Sequence, residues 1–267
     1  MSWSCWYAAA ALSEGDPATS PGRAALRVIV FHIGVFAPGI VAIAITAITR
    51  GRDGLRALLT PLFRSAVPWR WYAFAIGYMA AVKLTVALLH RIITGAWPRF
   101  GVEPWYLILA ATVFSLVIGG QAGEEIGWRG WALSRLAARF GLGSAAVILG
   151  VVWAAWHLPL FWLPFGNTQG QSFPLYLSQV TAISVAFAWL YAKTGGSLLL
   201  TMLLHSAVNQ SLGIVPSGAP GASQPWTLSA SLAGWLTAAV LWVVAAVLLA
   251  RMPRLVPDAG VRSKMSA

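Results

Sequence analysis

The sequence predicts an all-α fold, a polytopic bundle of seven to eight transmembrane helices, and three observations carry that reading. Charged residues make up only 9% of the chain, and the apolar share, with Gly counted in and Tyr out, is about two-thirds, against roughly 45–50% in soluble domains. Such a composition cannot cover a water-facing surface. Apolar runs of bilayer length, each needing about 20 residues, recur along the whole chain. The 15 Trp, 26 Gly and 15 Pro also suit lipid, where small residues let helices approach closely and neighbours re-satisfy a broken helix.

The apolar runs fall at 26–49, 71–93, 104–121, 144–164, 174–192, 197–214 and 226–250. An eighth span depends on 122–140, which either continues the third as a kinked helix after Gly119-Gly120 or lies along the interface. Residues 1–25 read as an interfacial or loosely ordered lead-in, because the run from Trp3 to Leu12 is too short to span. Residues 26–250 form one transmembrane domain, with its motif core at about 115–212, and 251–267 form a basic cytoplasmic tail. The stretch 51–70 is amphipathic up to Pro61 and is expected on the cytoplasmic surface.

A formal charge of +11 invites a nucleic-acid reading, which the placement of the bases removes. Arg50, Arg52, Arg56, Arg64, Arg70, Arg129, Arg135, Arg139, Lys193, Arg251, Arg254, Arg262 and Lys264 fall on one side of the expected spans. Arg23, Arg27, Arg91 and Arg99 fall on the other, and Lys83 lies within a span. The richer side is cytoplasmic by the positive-inside bias, which puts the N-terminus outside and the C-terminus inside, as in a bacterial-type cytoplasmic membrane. The partner expected from this placement is membrane lipid, with no nucleic acid. Cys5, the one cysteine, leaves no intramolecular disulfide to form.

Against this apolar background a few polar residues stand out. Of seven acids, Glu124 and Glu125 alone follow directly on an apolar run, where a carboxylate is costly unless paired or hydrated. Arg129 lies four residues after Glu125, so the two meet on one helical face as an ion pair, while Glu124 points about 100° away. By itself Glu124 also reads as an exposed acid at a helix N-terminus. His157 lies deep in the fourth span, beside a helix weakened by Pro159. His205 lies in the sixth, with Asn209 on the same face. Each imidazole alone reads equally well as a buried group satisfied across a helix pair, whereas His32 and His90 need only local hydrogen bonds or snorkelling. Trp153, one turn before His157, is expected to pack on that imidazole or to face lipid.

Three spans that each carry polar groups into hydrocarbon offset their shared desolvation cost best by meeting in one hydrated pocket. Glu124 and His157 suit the activation of a water, and a second imidazole beside an amide suits stabilisation of an oxyanion. Two His and one Glu are equally a ligand set for one divalent metal such as zinc, so Glu124, His157 and His205 are also the candidate metal ligands, and the residues leave a metal-free site equally open. HExxH and GxSxG patterns are absent.

At these positions the chain resembles the CPBP intramembrane proteases, the Abi or CAAX-protease-like, Rce1-like family. EExxxR stands as Glu124-Glu125-Ile-Gly-Trp-Arg129, FxxxH as Trp153-Ala-Ala-Trp-His157, and HxxxN as His205-Ser-Ala-Val-Asn209. The resemblance implies an intramembrane endopeptidase acting on a membrane-associated or lipidated peptide, in which Glu124 and His157 activate water, His205 and Asn209 polarise the scissile carbonyl, and Glu125 and Arg129 support the site. It carries both a glutamate-dependent and a metalloprotease reading. Trp153 departs from the Phe of the motif, which bears on substrate shape. A non-catalytic scaffold or bacteriocin-immunity protein is the alternative, and a transporter using Glu124 as proton carrier is a third.

Overall fold

Serine side chains start three of the helices by the same device. Ser172, Ser197 and Ser231 sit in extended backbone and accept the amide hydrogens of Leu175 (3.3 Å), Leu200 (3.2 Å) and Gly234 (3.1 Å), satisfying donors that a helix leaves open at its first turn. The structure is a computed structural model and describes residues 1–13, 21–101, 106–165, 168, 170–216 and 224–253. Among these there are helices and no strands, as the composition requires. In chain order they are α1 (Ser2–Ala11), α2 (Pro21–Leu59), α3 (Trp69–Thr94), α4 (Tyr106–Ile118), α5 (Gln121–Glu125), a π-helical turn (Ile126–Leu133), α6 (Ser134–Phe140), α7 (Leu142–Trp156), α8 (Phe173–Lys193), α9 (Leu198–Gln210) and α10 (Leu232–Ala250).

Every expected apolar run coincides with a helix, yet the count of seven to eight spans does not follow by length. Among the described residues, four helices are long and apolar enough to cross a bilayer, namely α2, α3, α8 and α10, or five if α4 and the helical stretch Gln121–Phe140 form one span bent by 60°. The bend falls at Gly119-Gly120, where the third run turns into the helical stretch that carries 122–140. The other runs make helices too short to span, α7 with 15 residues and α9 with 13. The proposed chemistry lies on these short and broken helices. The central helix is α8, whose most apolar window is 67% buried, compared with 28% for α2.

The ends of the chain refine the reading further. Within the lead-in, Ser2–Ala11 form α1, which docks on α2 through the fully buried Trp6. Trp3 Nε1 donates to the carbonyl of Trp156 at 2.9 Å, which ties α1 to the end of α7. The amphipathic stretch after residue 51 is helical to Leu59, and Gly51, with φ 59°, breaks it from the membrane part of α2. Most of the tail, 254–267, lies outside the described residues, as do Glu14, Asp16, Glu103 and Asp258.

One helix contact brings the two glutamates into the bundle. Gly123 and Gly127 straddle the glutamates at a four-residue spacing and face α2. A Cβ at Gly123 would lie 2.7 Å from the Cα of Phe36, and one at Gly127 would lie 2.6 Å from the carbonyl carbon of Pro38. Only hydrogen fits there, so the backbones touch as in other small-residue contacts within lipid. By contrast, on α3, a Cβ at Gly77 meets nothing within 4 Å. Replacing Gly123 by Leu is expected to lower the melting temperature in detergent sharply, because the backbone of α2 must move. Gly77→Ala should leave it unchanged or raise it, with about 0.5–1 kcal/mol gained from helix propensity. Thermal denaturation followed by circular dichroism checks both.

Candidate active site

The π-helical turn begins immediately after Glu125. A π-turn widens a helix by one residue and is common where side chains are re-aimed for function. Here it carries Arg129, which is fully buried. Arg129 Nη1 donates to Glu125 Oε1 at 2.7 Å, so the expected ion pair is present. The guanidinium lies between two rings, 4.2 Å from the centroid of Trp153 and 4.0 Å from that of Phe187. Its Nε and Nη2, like Glu125 Oε2, have no hydrogen-bond partner among the described residues. The ring faces thus supply much of what replaces water around this cation.

Glu125 has a second partner that spacing along the sequence does not reveal. His205 Nδ1 donates to the same Oε1 at 2.9 Å. One carboxylate oxygen therefore holds Arg129 from its own helix and His205 from α9, fixing the ring so that Nε2 points away from Glu125. That nitrogen lies 4.0 Å from Glu124 Oε1. A separation of that size is too long for a direct hydrogen bond and suits a water in contact with both atoms, each about 2.8 Å away.

Glu124 is itself buried and is engaged on its other oxygen. Trp153 Nε1 donates to Oε2 at 2.7 Å, leaving Oε1 as the oxygen on the side of His205. Trp153 is therefore neither lipid-facing bulk nor only a stacking partner. Its ring meets His157 edge to face at 5.8 Å and His205 at 5.2 Å.

His157 lies elsewhere than expected. It is not deep within a span, because α7 stops at Trp156 and His157 is its C-terminal cap, followed by a 3-10 turn over Leu158–Phe161. Pro159 explains the stop, since it has no amide hydrogen with which to continue the helix. At this end His157 is half-buried, and Nδ1 bonds the Trp153 carbonyl at 2.8 Å. A carbonyl can only accept, so Nδ1 carries the proton and Nε2 is left as an acceptor in the neutral ring. Glu124 and His157 are close enough to interact electrostatically.

The structure thus brings Glu124, Glu125, Arg129, Trp153, His157 and His205 together. It does not bring in Asn209, which is exposed at the end of α9 and makes no side-chain hydrogen bond among the described residues. His32 and His90 stand apart, each bonded to a nearby backbone carbonyl. Tyr176 and Phe187, both on α8, escaped the sequence reading. Tyr176 meets the edge of His157 at 5.6 Å and Phe187 that of His205 at 5.8 Å. No signal in the sequence distinguishes them from other aromatics in an apolar helix.

The candidate metal ligands do not fit a metal as they are arranged. Two ligands of a tetrahedral zinc lie about 3.3 Å apart, given bonds near 2.0–2.1 Å, whereas Glu124 Oε1 and His205 Nε2 are separated by 4.0 Å. Among the described residues no three His, Cys, Asp or Glu side chains converge on a point that could hold an ion.

Fold and site together define a polytopic membrane protein with a buried carboxylate–imidazole centre. Residues 104–211, which include all three motifs, match the model of the Rce1-like family, type II CAAX prenyl endopeptidases. The chain is also 22% identical over 214 residues to CAAX prenyl protease 2 of Methanococcus maripaludis, an alignment covering 76% of this chain and 77% of the relative. Over residues 104–211 the chain is thus similar to the Rce1-like family.

Arg129 balances a buried carboxylate, and removing one partner of such a pair costs roughly 3–5 kcal/mol. Arg129→Met is therefore expected to depress the melting temperature strongly, and adding Glu125→Gln to restore part of the loss. A double-mutant cycle on the purified protein in detergent measures the coupling, and additive single effects would contradict the pairing.

Proposed function

We propose that the protein is an intramembrane endopeptidase in which Glu124 and His157 activate a water and His205 polarises the scissile carbonyl. The observation that carries this reading is the division of the two glutamates. Glu125 is committed to Arg129 and His205, while Glu124 keeps Oε1 uncommitted at 4.0 Å from His205 Nε2. In the first step Glu124 takes a proton from water held also by His157 Nε2, as the hydroxide oxygen bonds to the carbonyl carbon. The oxyanion that forms accepts from His205 Nε2–H. With both ring nitrogens of His205 protonated, the two carboxylates are balanced by the guanidinium and the imidazolium, which keeps the buried cluster neutral. In the second step the C–N bond breaks and protonated Glu124 gives its proton to the leaving amine. Asn209, exposed and without a side-chain hydrogen bond among the described residues, lies one turn along from His205 and offers a further donor to the substrate from outside the buried cluster. The spread of the three candidate ligands supports a metal-free reaction.

The substrate class proposed is a lipidated peptide, with the protein oriented so that cleavage occurs near the cytoplasmic face, as the distribution of Arg and Lys suggests. An apolar groove of about 610 Å³, lined among others by Pro38, Trp128, Trp131 and Trp156, lies between α1, α2 and the π-turn. Trp156 precedes His157, so a lipid chain in the groove would lead its peptide toward the site. That volume falls within the usual range of small-ligand sites.

A quenched fluorescent peptide ending in a farnesylated CAAX sequence tests both statements. Turnover is expected for this probe above the unmodified peptide, and Glu124→Gln is expected to remove it by at least ~100-fold while the protein remains folded in detergent. Undiminished cleavage by that variant would rule out Glu124 as the base. Phenanthroline is expected to leave turnover intact; loss with the chelator and recovery with zinc would replace the metal-free reading by a metal-bound one.

A further inference from the structure

We propose that Trp153 is a positioning residue for the water-activating carboxylate, acting through its indole N–H rather than its bulk. The inference rests on the reading of Glu124 as the base. Trp153 is buried and its Nε1 donates to Glu124 Oε2 at 2.7 Å. No other described side chain hydrogen-bonds to Glu124, so this bond alone selects which oxygen turns toward the imidazoles. A carboxylate on a Glu side chain rotates about its last bond with little resistance, and a base that rotates spends less time aimed at its water. The indole removes that freedom.

The same residue fixes the second member of the pair. The Trp153 carbonyl accepts from His157 Nδ1 at 2.8 Å, so one residue holds Oε2 of Glu124 through its side chain and Nδ1 of His157 through its backbone. Both groups that are to share the water are thereby referred to a single point on α7. Phe at this position, the residue of the motif, would keep the backbone bond and the ring contacts with His157, His205, Phe187 and Arg129 but would leave Oε2 buried without its donor. The substitution therefore isolates the N–H.

The test compares the parent protein with Trp153→Phe and with a protein carrying benzothienylalanine at 153, which keeps the fused rings and replaces N–H by sulfur. Turnover of the farnesylated probe is measured per folded molecule, with folding judged by size-exclusion chromatography and melting temperature. Both replacements are expected to lower kcat by about 10–100-fold, the range for losing a hydrogen bond to a charged group, with KM changed by no more than about twofold and the isostere still folded, at a modestly lower melting temperature. Should Trp153→Phe fail to fold, the isostere decides alone. A kcat for the isostere within about twofold of the parent, while Glu124→Gln is inactive, overturns the role of the N–H and leaves the base assignment standing. An active Glu124→Gln overturns the base assignment itself, and this inference with it.

Discussion

A single buried carboxylate oxygen, Glu125 Oε1, holds the centre of this protein together. Two donors converge on it, the guanidinium of Arg129 at 2.7 Å and the imidazole of His205 at 2.9 Å, and the second comes from a helix 80 residues away in the chain. Isolated, each of these charged or polar groups would be costly in hydrocarbon. Together they compensate one another, and the compensation is geometric as well as electrostatic. The bond to Nδ1 decides which nitrogen of His205 is left for chemistry and in which direction it points. With Glu125 committed to these two donors, the neighbouring Glu124 keeps its Oε1 uncommitted, which is what the proposed reaction requires.

Adjacent glutamates on a helix point in different directions, and the bundle exploits this by presenting different walls to each. Glu125 faces α9 and the aromatic pair that encloses Arg129, whereas Glu124 faces the end of α7 and the indole of Trp153. The π-turn that begins right after them lets Arg129 fold back onto Glu125 while Gly127 keeps its contact with Pro38 on α2. Strength of packing and placement of charge are set by the same short stretch, Gly123–Arg129. Any larger residue at its glycines would push both carboxylates off their partners.

Much of the site was legible in the sequence, because ionisable residues in an apolar chain have few innocent explanations. Glu124, Glu125, Arg129, His157 and His205 stood out as anomalies of hydropathy, and the i,i+4 spacing of Glu125 and Arg129 foretold their ion pair. Contacts between distant segments were not legible. The Glu125–His205 bond and the Trp153–Glu124 bond depend on how three helices cross, and no periodicity encodes a crossing. Tyr176 and Phe187 were invisible for a related reason, since an aromatic in a buried helix has the same local signature whether it touches an active group or a leucine. Helix length was not legible either: the runs around His157 and His205 are apolar enough for a bilayer, but Pro159 ends one helix early and the other has only 13 residues.

Those short helices are informative about how such a site can exist in lipid. A continuous spanning helix satisfies all its backbone groups internally and presents a closed cylinder, with no place for water to enter. Interrupted helices leave carbonyls and amides to be satisfied in other ways, and here those groups are put to use. The carbonyl of Trp153 orients His157, and that of Trp156 receives the indole of Trp3 from α1. Among the helices of full spanning length, α2 lies against the π-turn and α8 against α7, so long helices flank the broken ones that carry the polar centre. The division follows from solvation: length and apolarity are needed where the chain meets lipid, and short, capped elements are tolerated only where protein or trapped water replaces it. Helix breaks near buried acids and imidazoles are therefore the expected companions of hydrolytic chemistry within a bilayer, because the same break that ends a helix supplies the polar groups that hold an imidazole in a single tautomer.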